Sequence, residues 1–202
     1  MLDKSVENIP VLMVHEHPEV YPRVAPADGY TIRGYLPGDE HHWARIECAV
    51  GQFDTYEKAL ECFDREFLTF PKRAATNCLF AVAPDGTPVG MTSLWFGGIM
   101  GNHWMRIHWV AVDPAHQGKR LCQALLTAAL DLYHAQYHSV PLFLWTQTQS
   151  HQAIRLYKRF GFTPYLGEKP KGWPVENYPA DNERAWAIID AKNAAFDALK
   201  VN

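Results

Sequence analysis

The 202-residue sequence is short of several things, and each shortage narrows what the chain can be. It has four cysteines, Cys48, Cys62, Cys78 and Cys122, with no CxxC pair and no zinc spacing. They read as reduced thiols of a cytoplasmic protein, not as a disulfide framework or a metal site. Positive charge is not in excess: 19 Lys+Arg stand against 22 Asp+Glu, a formal net charge of -3. That balance excludes the basic face of a nucleic-acid phosphate-backbone binder. No apolar run approaches the roughly 20 residues of a membrane-spanning helix. Nor does a basic stretch lead into an apolar one near Met1, so no leader peptide is expected. Internal repeats and low-complexity segments are lacking too.

What is present is material for one core: 48% hydrophobic residues, 13% aromatics and seven tryptophans. The expected organisation is an N-terminal extension over 1–28 followed by a single domain over 29–202. Pro10, Pro18, Pro22 and Pro26 exclude a helix from the extension, which has one edge-strand candidate near Val11–Val14. A strand is predicted near Tyr30–Arg33. A helix over 40–50 would be capped by Asp39, and Asp54 or Thr55 would cap a second helix running through Leu60, Phe63 and Phe67. Two β-rich runs, 79–83 and 89–95, flank Asp85-Gly86 and predict a hairpin. Further along come a strand over 104–112, a helix over 117–137, a strand over 141–146 and a helix from Ser150 to Phe160. Gly161 sits where that helix needs a left-handed terminating residue. An Ala-rich helix over 181–200, with Trp186, Ile189, Phe196 and Leu199 on one face, closes the chain. The order β–α–β–α implies an α/β fold with a right-handed crossover.

Chemistry concentrates where Val110-Ala111-Val112-Asp113-Pro114 ends a strand and His116-Gln117-Gly118-Lys119-Arg120 enters a helix. Free backbone N–H groups at such a junction suit a pyrophosphate, and Lys119 and Arg120 add charge. Alone this junction reads first as a solvated basic turn, and only second as an anion site. A crossover strand later stands Ala153-Ile154-Arg155-Leu156-Tyr157, followed by Gly161-Phe162.

Together the two segments, VAVDPAHQGKRLCQALL and LWTQTQSHQAIRLYKRFGF, resemble the GNAT superfamily of acyl-CoA-dependent N-acetyltransferases. The resemblance covers about residues 30–165. It implies a GNAT-like mixed sheet flanked by helices and splayed at the cofactor site, with acetyl-CoA as acyl donor. The pantetheine arm would pair with the backbone of Val110, Ala111 and Val112. Gln117, Gly118, Lys119, Arg120, Leu121 and Cys122 would hold the pyrophosphate, with Ser150 and Ala153 nearby on the following helix. A backbone N–H near Val110 would stabilise the oxyanion, and Tyr157 would protonate the leaving thiolate. The chain departs from the family pattern at Arg120 and Cys122, where small residues are usual, and at Ser150, where Asn is frequent.

Many members carry a Glu on the strand before the loop, whereas Arg106-Ile107-His108-Trp109-Val110 has no acid. Alternation would place Arg106, His108 and Val110 on one face. His108 is then either the general base or a hydrogen-bonded packing residue. Glu47 and Asp54 are weaker base candidates, and His134 and His138 lack a third metal ligand. The expected reaction is direct acyl transfer to a primary amine of a small molecule or peptide. No nucleic-acid or membrane partner is expected, and a homodimer is allowed for. The alternatives are a non-catalytic acyl-CoA-binding module and an unrelated α/β scaffold.

Overall fold

A computed structural model of the chain describes residues 2–138 and 140–201. In chain order its strands are β1 (Pro10–His15), β2 (Thr31–Gly34), β3 (Cys78–Val82), β4 (Pro88–Phe96), β5 (Met105–Val112), β6 (Leu142–Gln147) and β7 (Thr163–Pro164). Its helices are α1 (Asp39–Ala49), α2 (Tyr56–Phe63), α3 (Pro71–Asn77), α4 (Leu121–Gln136), α5 (His151–Arg159) and α6 (Tyr178–Val201). A π-helical turn, Asp64–Leu68, continues α2, and a 3-10 turn, Pro114–His116, follows β5. This is the α/β class expected. Backbone contacts divide the chain into two compact units. The first is Tyr21–Trp95 with Ile107–His138; the second is Leu2–Val20, Phe96–Arg106 and the chain from 140 onward.

In the first unit the strands lie in the order β2–β3–β4–β5. The hairpin of β3 and β4 is antiparallel, with Gly86 at φ 89 in its turn and Asp85 accepting from the Thr87 amide at 2.9 Å. Gly90 on β4 lies against β5 and α4: a Cβ there would meet Val112 Cγ2 at 2.9 Å and the Ala111 carbonyl at 3.2 Å. Any larger residue would push this layer apart. One core cluster gathers Trp43, Phe63, Phe67, Phe80 and Trp95, with Trp109 and Phe53 partly buried against it. A second joins Ala81, Val89, Val112, Leu121 and Leu125.

Local signals explain the helix starts. Thr55 caps α2 by accepting from the Lys58 amide at 3.3 Å, as expected. Asp39 does not cap α1. Gly38, left-handed at φ 103, holds that position, and Asp39 is instead bound by Arg33 and by the Leu36 amide. An ion pair with a nearby arginine offered that carboxylate more than the cap did. α4 starts at Leu121 and not at 117, because residues 117–120 are taken up by the loop.

In the second unit the order is β6–β1–β7, with antiparallel pairing on both sides of β1. The strand near Val11–Val14 is therefore interior, not at an edge. Its continuous apolar run was the signal: Val11, Leu12 and Met13 are all buried, which requires cover on both faces. α5 ends as its sequence predicts. Gly161 has φ 89, its amide donates to the Lys158 carbonyl, and the Phe162 amide donates to the Tyr157 carbonyl at 3.1 Å. These two bonds are the Schellman pattern. On α6, Trp186 and Ile189 are buried and Phe196 is exposed beside Arg155, while the Leu199 side chain lies outside the described residues.

Candidate acyl-transfer site

The first unit carries most of the candidate residues. β5 is not a regular strand: Trp109 has φ 53, a left-handed value rare for a side-chain-bearing residue. The kink cancels the simple alternation that would put Arg106, His108 and Val110 on one face. Instead His108 and its neighbour Trp109 reach the same carboxylate. His108 Nε2 lies 2.7 Å from Glu66 Oε2, and the Trp109 indole N–H donates to that oxygen at 3.0 Å. Ser93 on β4 donates to the His108 carbonyl at 3.1 Å, which fixes the strand beside the kink.

Glu66 comes from the π-helical turn after α2. Such turns re-aim side chains that a regular helix would point elsewhere. The sequence-level reading missed this residue. The available signal was an acid in the apolar stripe of Ala59, Phe63 and Phe67, one turn after Cys62, whose thiol contacts Glu66. A carboxylate on one ring nitrogen orients an imidazole and makes it more basic. Both side chains of the pair keep contact with solvent, at 17% for His108 and 25% for Glu66, so the pair is reachable.

β5 leads into the candidate phosphate loop. Asp113 accepts from the Ala115 amide at 2.9 Å and is bound by Arg45, which also donates to the Pro88 carbonyl. The Gln117 amide group donates back to the Val112 carbonyl at 3.1 Å. Gly118 (φ 78) and Arg120 (φ 59) are both left-handed, and a Cβ on Gly118 would meet nothing within 4 Å. Arg120 thus holds a backbone conformation that glycine reaches without steric cost. It is the N-cap of α4, and among the described residues no side-chain cap bond is made there. The first amides of a 16-residue helix are therefore left for an anion. Lys119 donates to the Tyr30 hydroxyl at 2.6 Å beside His116. Burial pushes the Cys122 thiol up to about 11, so it remains a neutral side chain of small volume. These features fit a diphosphate.

The second unit holds Ser150, Ala153 and Tyr157. Tyr157 is buried on α5 with its ring 6.3 Å from Phe162, held by the helix terminus described above. Ser150 precedes α5, but its side chain makes no capping bond. Its neighbours are engaged by the N-terminal segment: Thr148 accepts from the Ile9 amide at 3.0 Å, and Gln149 donates to the Val6 carbonyl at 3.0 Å. Of the weaker base candidates, Asp54 is exposed on the α1–α2 connection, while Glu47 is buried in α1.

Comparison with known proteins gives this geometry a context. The acetyltransferase (GNAT) family model matches residues 39–162, from α1 through the end of α5. The chain belongs to the GNAT acetyltransferase family. It is 28% identical over 165 residues to a mycothiol acetyltransferase of Thermomonospora curvata, covering 71% of this chain and 48% of that protein. It is 27% identical over 179 residues to an uncharacterized protein of Mycobacterium leprae, covering 88% of this chain and 47% of that one. The chain thus spans about half the length of these relatives. The crystal structure of a GCN5-related N-acetyltransferase from Sphaerobacter thermophilus shares the fold, with a TM-score of 0.59 at 24% identity over 78% of this chain and 49% of that one. Among the described residues, no helix is long and apolar enough to cross a membrane, and no group of three or more His, Cys, Asp or Glu could hold a metal ion.

Proposed function

We propose that this chain transfers an acetyl (or other short acyl) group from acyl-CoA directly to a primary amine, with the His108–Glu66 pair as general base. The observation that carries this reading is the 2.7 Å contact that Glu66 makes with His108 on β5, a kinked strand that runs into a helix whose N-cap residue makes no side-chain cap bond. The amine loses its proton to the pair as its nitrogen attacks the thioester carbonyl carbon. The carbon–sulfur bond then breaks, and Tyr157 supplies the proton taken up by the departing thiolate. Backbone amides of Val110 to Val112 would orient the donor, and residues 117–122 would hold its diphosphate. Ser150 and Ala153 would complete the donor's binding site. A reducing, cytoplasmic setting suits the four free thiols.

Thiol release from acetyl-CoA across a panel of primary amines tests the proposal. Amine-dependent release, lowered about 10- to 100-fold by Tyr157→Phe, is the expected result. The left-handed Arg120 at a normally small position favours one rival, a module that binds acyl-CoA without turning it over. Thermal stabilisation by acetyl-CoA with no release from any amine would decide for that rival.

A further inference from the structure

Two buried polar groups in the first unit have no role in the chemistry above. Glu47 is 3% exposed and Trp43 1% exposed, and both lie on α1. Glu47 Oε1 and Trp43 Nε1 have no hydrogen-bond partner among the described residues. At four residues' spacing the two side chains share one face of the helix, about one turn apart. That face enters the aromatic cluster beside the proposed base. The Trp43 ring lies 5.1 Å from Trp109 and 5.7 Å from Phe53, and Trp109 in turn lies 4.8 Å from His108 and donates to Glu66.

Unpaired polar atoms are costly in such surroundings, and apolar side chains of similar shape would pack there at less cost. Their retention asks what ligand group would complete them. An indole N–H can only donate. The Glu47 carboxyl is pushed up to about 8, by burial alone and with no cation to offset it, so near neutral pH it both donates and accepts. A ligand ammonium offers donors only and would leave the indole unpaired. A ligand carboxylate would be buried beside an acid with no compensating charge. An aliphatic hydroxyl accepts from the indole and donates to the carboxyl, and it suits either protonation state of Glu47. Ring walls with a few fixed polar atoms are the usual build of a small-molecule pocket.

We propose that Trp43 and Glu47 are specificity-determining residues that recognise a hydroxyl group on the acceptor, which is a hydroxylated primary amine. The identity of this ligand as the acceptor rests on the acetyltransferase reading; the hydroxyl preference does not. The test compares 2-, 3- and 4-aminocyclohexanol with cyclohexylamine, by thiol release from acetyl-CoA and, separately, by thermal shift with the amine alone. The best aminocyclohexanol should exceed cyclohexylamine by about 100-fold in kcat/KM, because the analogue leaves buried groups unpaired. It alone should raise Tm. Glu47→Leu and Trp43→Phe should each bring the preference to within about threefold while cyclohexylamine turnover persists. Trp43→Phe keeps the test intact should Glu47→Leu not fold.

Equal treatment of all four amines by the wild type overturns the proposal. So does a preference that survives both substitutions, since the two groups then hold a trapped water. A hydroxyl-selective thermal shift lost in Glu47→Leu, without turnover, sustains this inference and sinks the transferase reading. Turnover without selectivity does the reverse, and the absence of both effects overturns the two together.

Discussion

In the second unit, α5 carries Tyr157 on a helix whose periodicity and C-terminus follow local preference: an apolar face, a left-handed Gly161, and paired terminal carbonyls. In the first unit, β5 and the start of α4 violate local preference twice. Trp109 and Arg120 hold the left-handed conformation without being glycine, at a cost of order 1–3 kcal/mol each. The same unit buries Glu47 Oε1 and Trp43 Nε1 with no hydrogen-bond partner among the described residues. The contrast teaches where the strain is kept. The Trp109 kink is what brings two consecutive side chains to Glu66, and the Arg120 turn is what opens the α4 terminus. Strain that coincides with the candidate chemistry is the pattern expected when function, not stability, selects a residue.

The strongest way to break this comparison is to remove the pair that the kink assembles. His108→Ala should lower kcat/KM by about 1,000-fold, and Glu66→Gln by about 10- to 100-fold, with Tm changed little because both side chains are partly solvated. Retention of activity within threefold in His108→Ala would make the pair a packing feature and leave the Trp109 strain unexplained.

Next in size is the stability that Glu47 withholds. Its folded carboxyl titrates at about 8, against an unfolded value near 4.5. As pH rises between those values the unfolded chain releases a proton that the folded chain keeps, so stability falls across that window and levels off above it. Glu47→Leu should therefore gain roughly 3–5 kcal/mol more over the wild type at pH 8 than it gains at pH 4.5. Urea unfolding at the two pH values measures this. A pH-independent difference would mean that the carboxyl is solvated or paired.

How far the sequence alone carried the argument follows the same division. The hairpin, α5 with its glycine, and the strand leading into the candidate phosphate loop were legible because each rests on short-range chemistry: an Asp-Gly turn, a 3.6-residue period, a strand run. His108 was legible as a candidate, but only by alternation, and the structure replaces that reason with a different one. Glu66 stood out only as an acid in an apolar stripe, and its approach to His108 was not legible, because it depends on a π-helical turn that no residue preference announces. The interior place of β1 was missed since four prolines around it suggested a draped segment, and because pairing with β6, more than a hundred residues away, leaves no local trace.

His15 gives the second unit its own titration test, with the opposite sign. It is buried against Gly161 and Phe162, and burial pushes its imidazole below the ordinary value. Below about pH 6.5 the unfolded chain binds a proton that the folded chain resists, so stability drops as pH falls. Melting between pH 7 and pH 5 should show a drop of a few degrees that His15→Met abolishes. A parallel pair of pH profiles would remove His15 as the cause.

The smallest effect is the most direct reading of strain. Arg120 occupies φ 59, ψ 18 as the N-cap of α4, makes no side-chain cap bond there, and stands where the family usually has a small residue. Glycine reaches that conformation without steric penalty but has more freedom in the unfolded chain. The two terms oppose each other, and the removal of left-handed strain is the larger, at about 1–2 kcal/mol. Arg120→Gly should thus raise stability by about 1 kcal/mol, seen as a Tm increase of a few degrees. The same variant separates backbone from charge in donor binding. If the α4 amides alone hold the diphosphate, the KM for acetyl-CoA stays level or falls. If the guanidinium pairs with a phosphate, KM rises several-fold and the rise shrinks with added salt. Either result assigns the departure from the family loop: a substitution tolerated by the backbone, or a cation recruited to the donor.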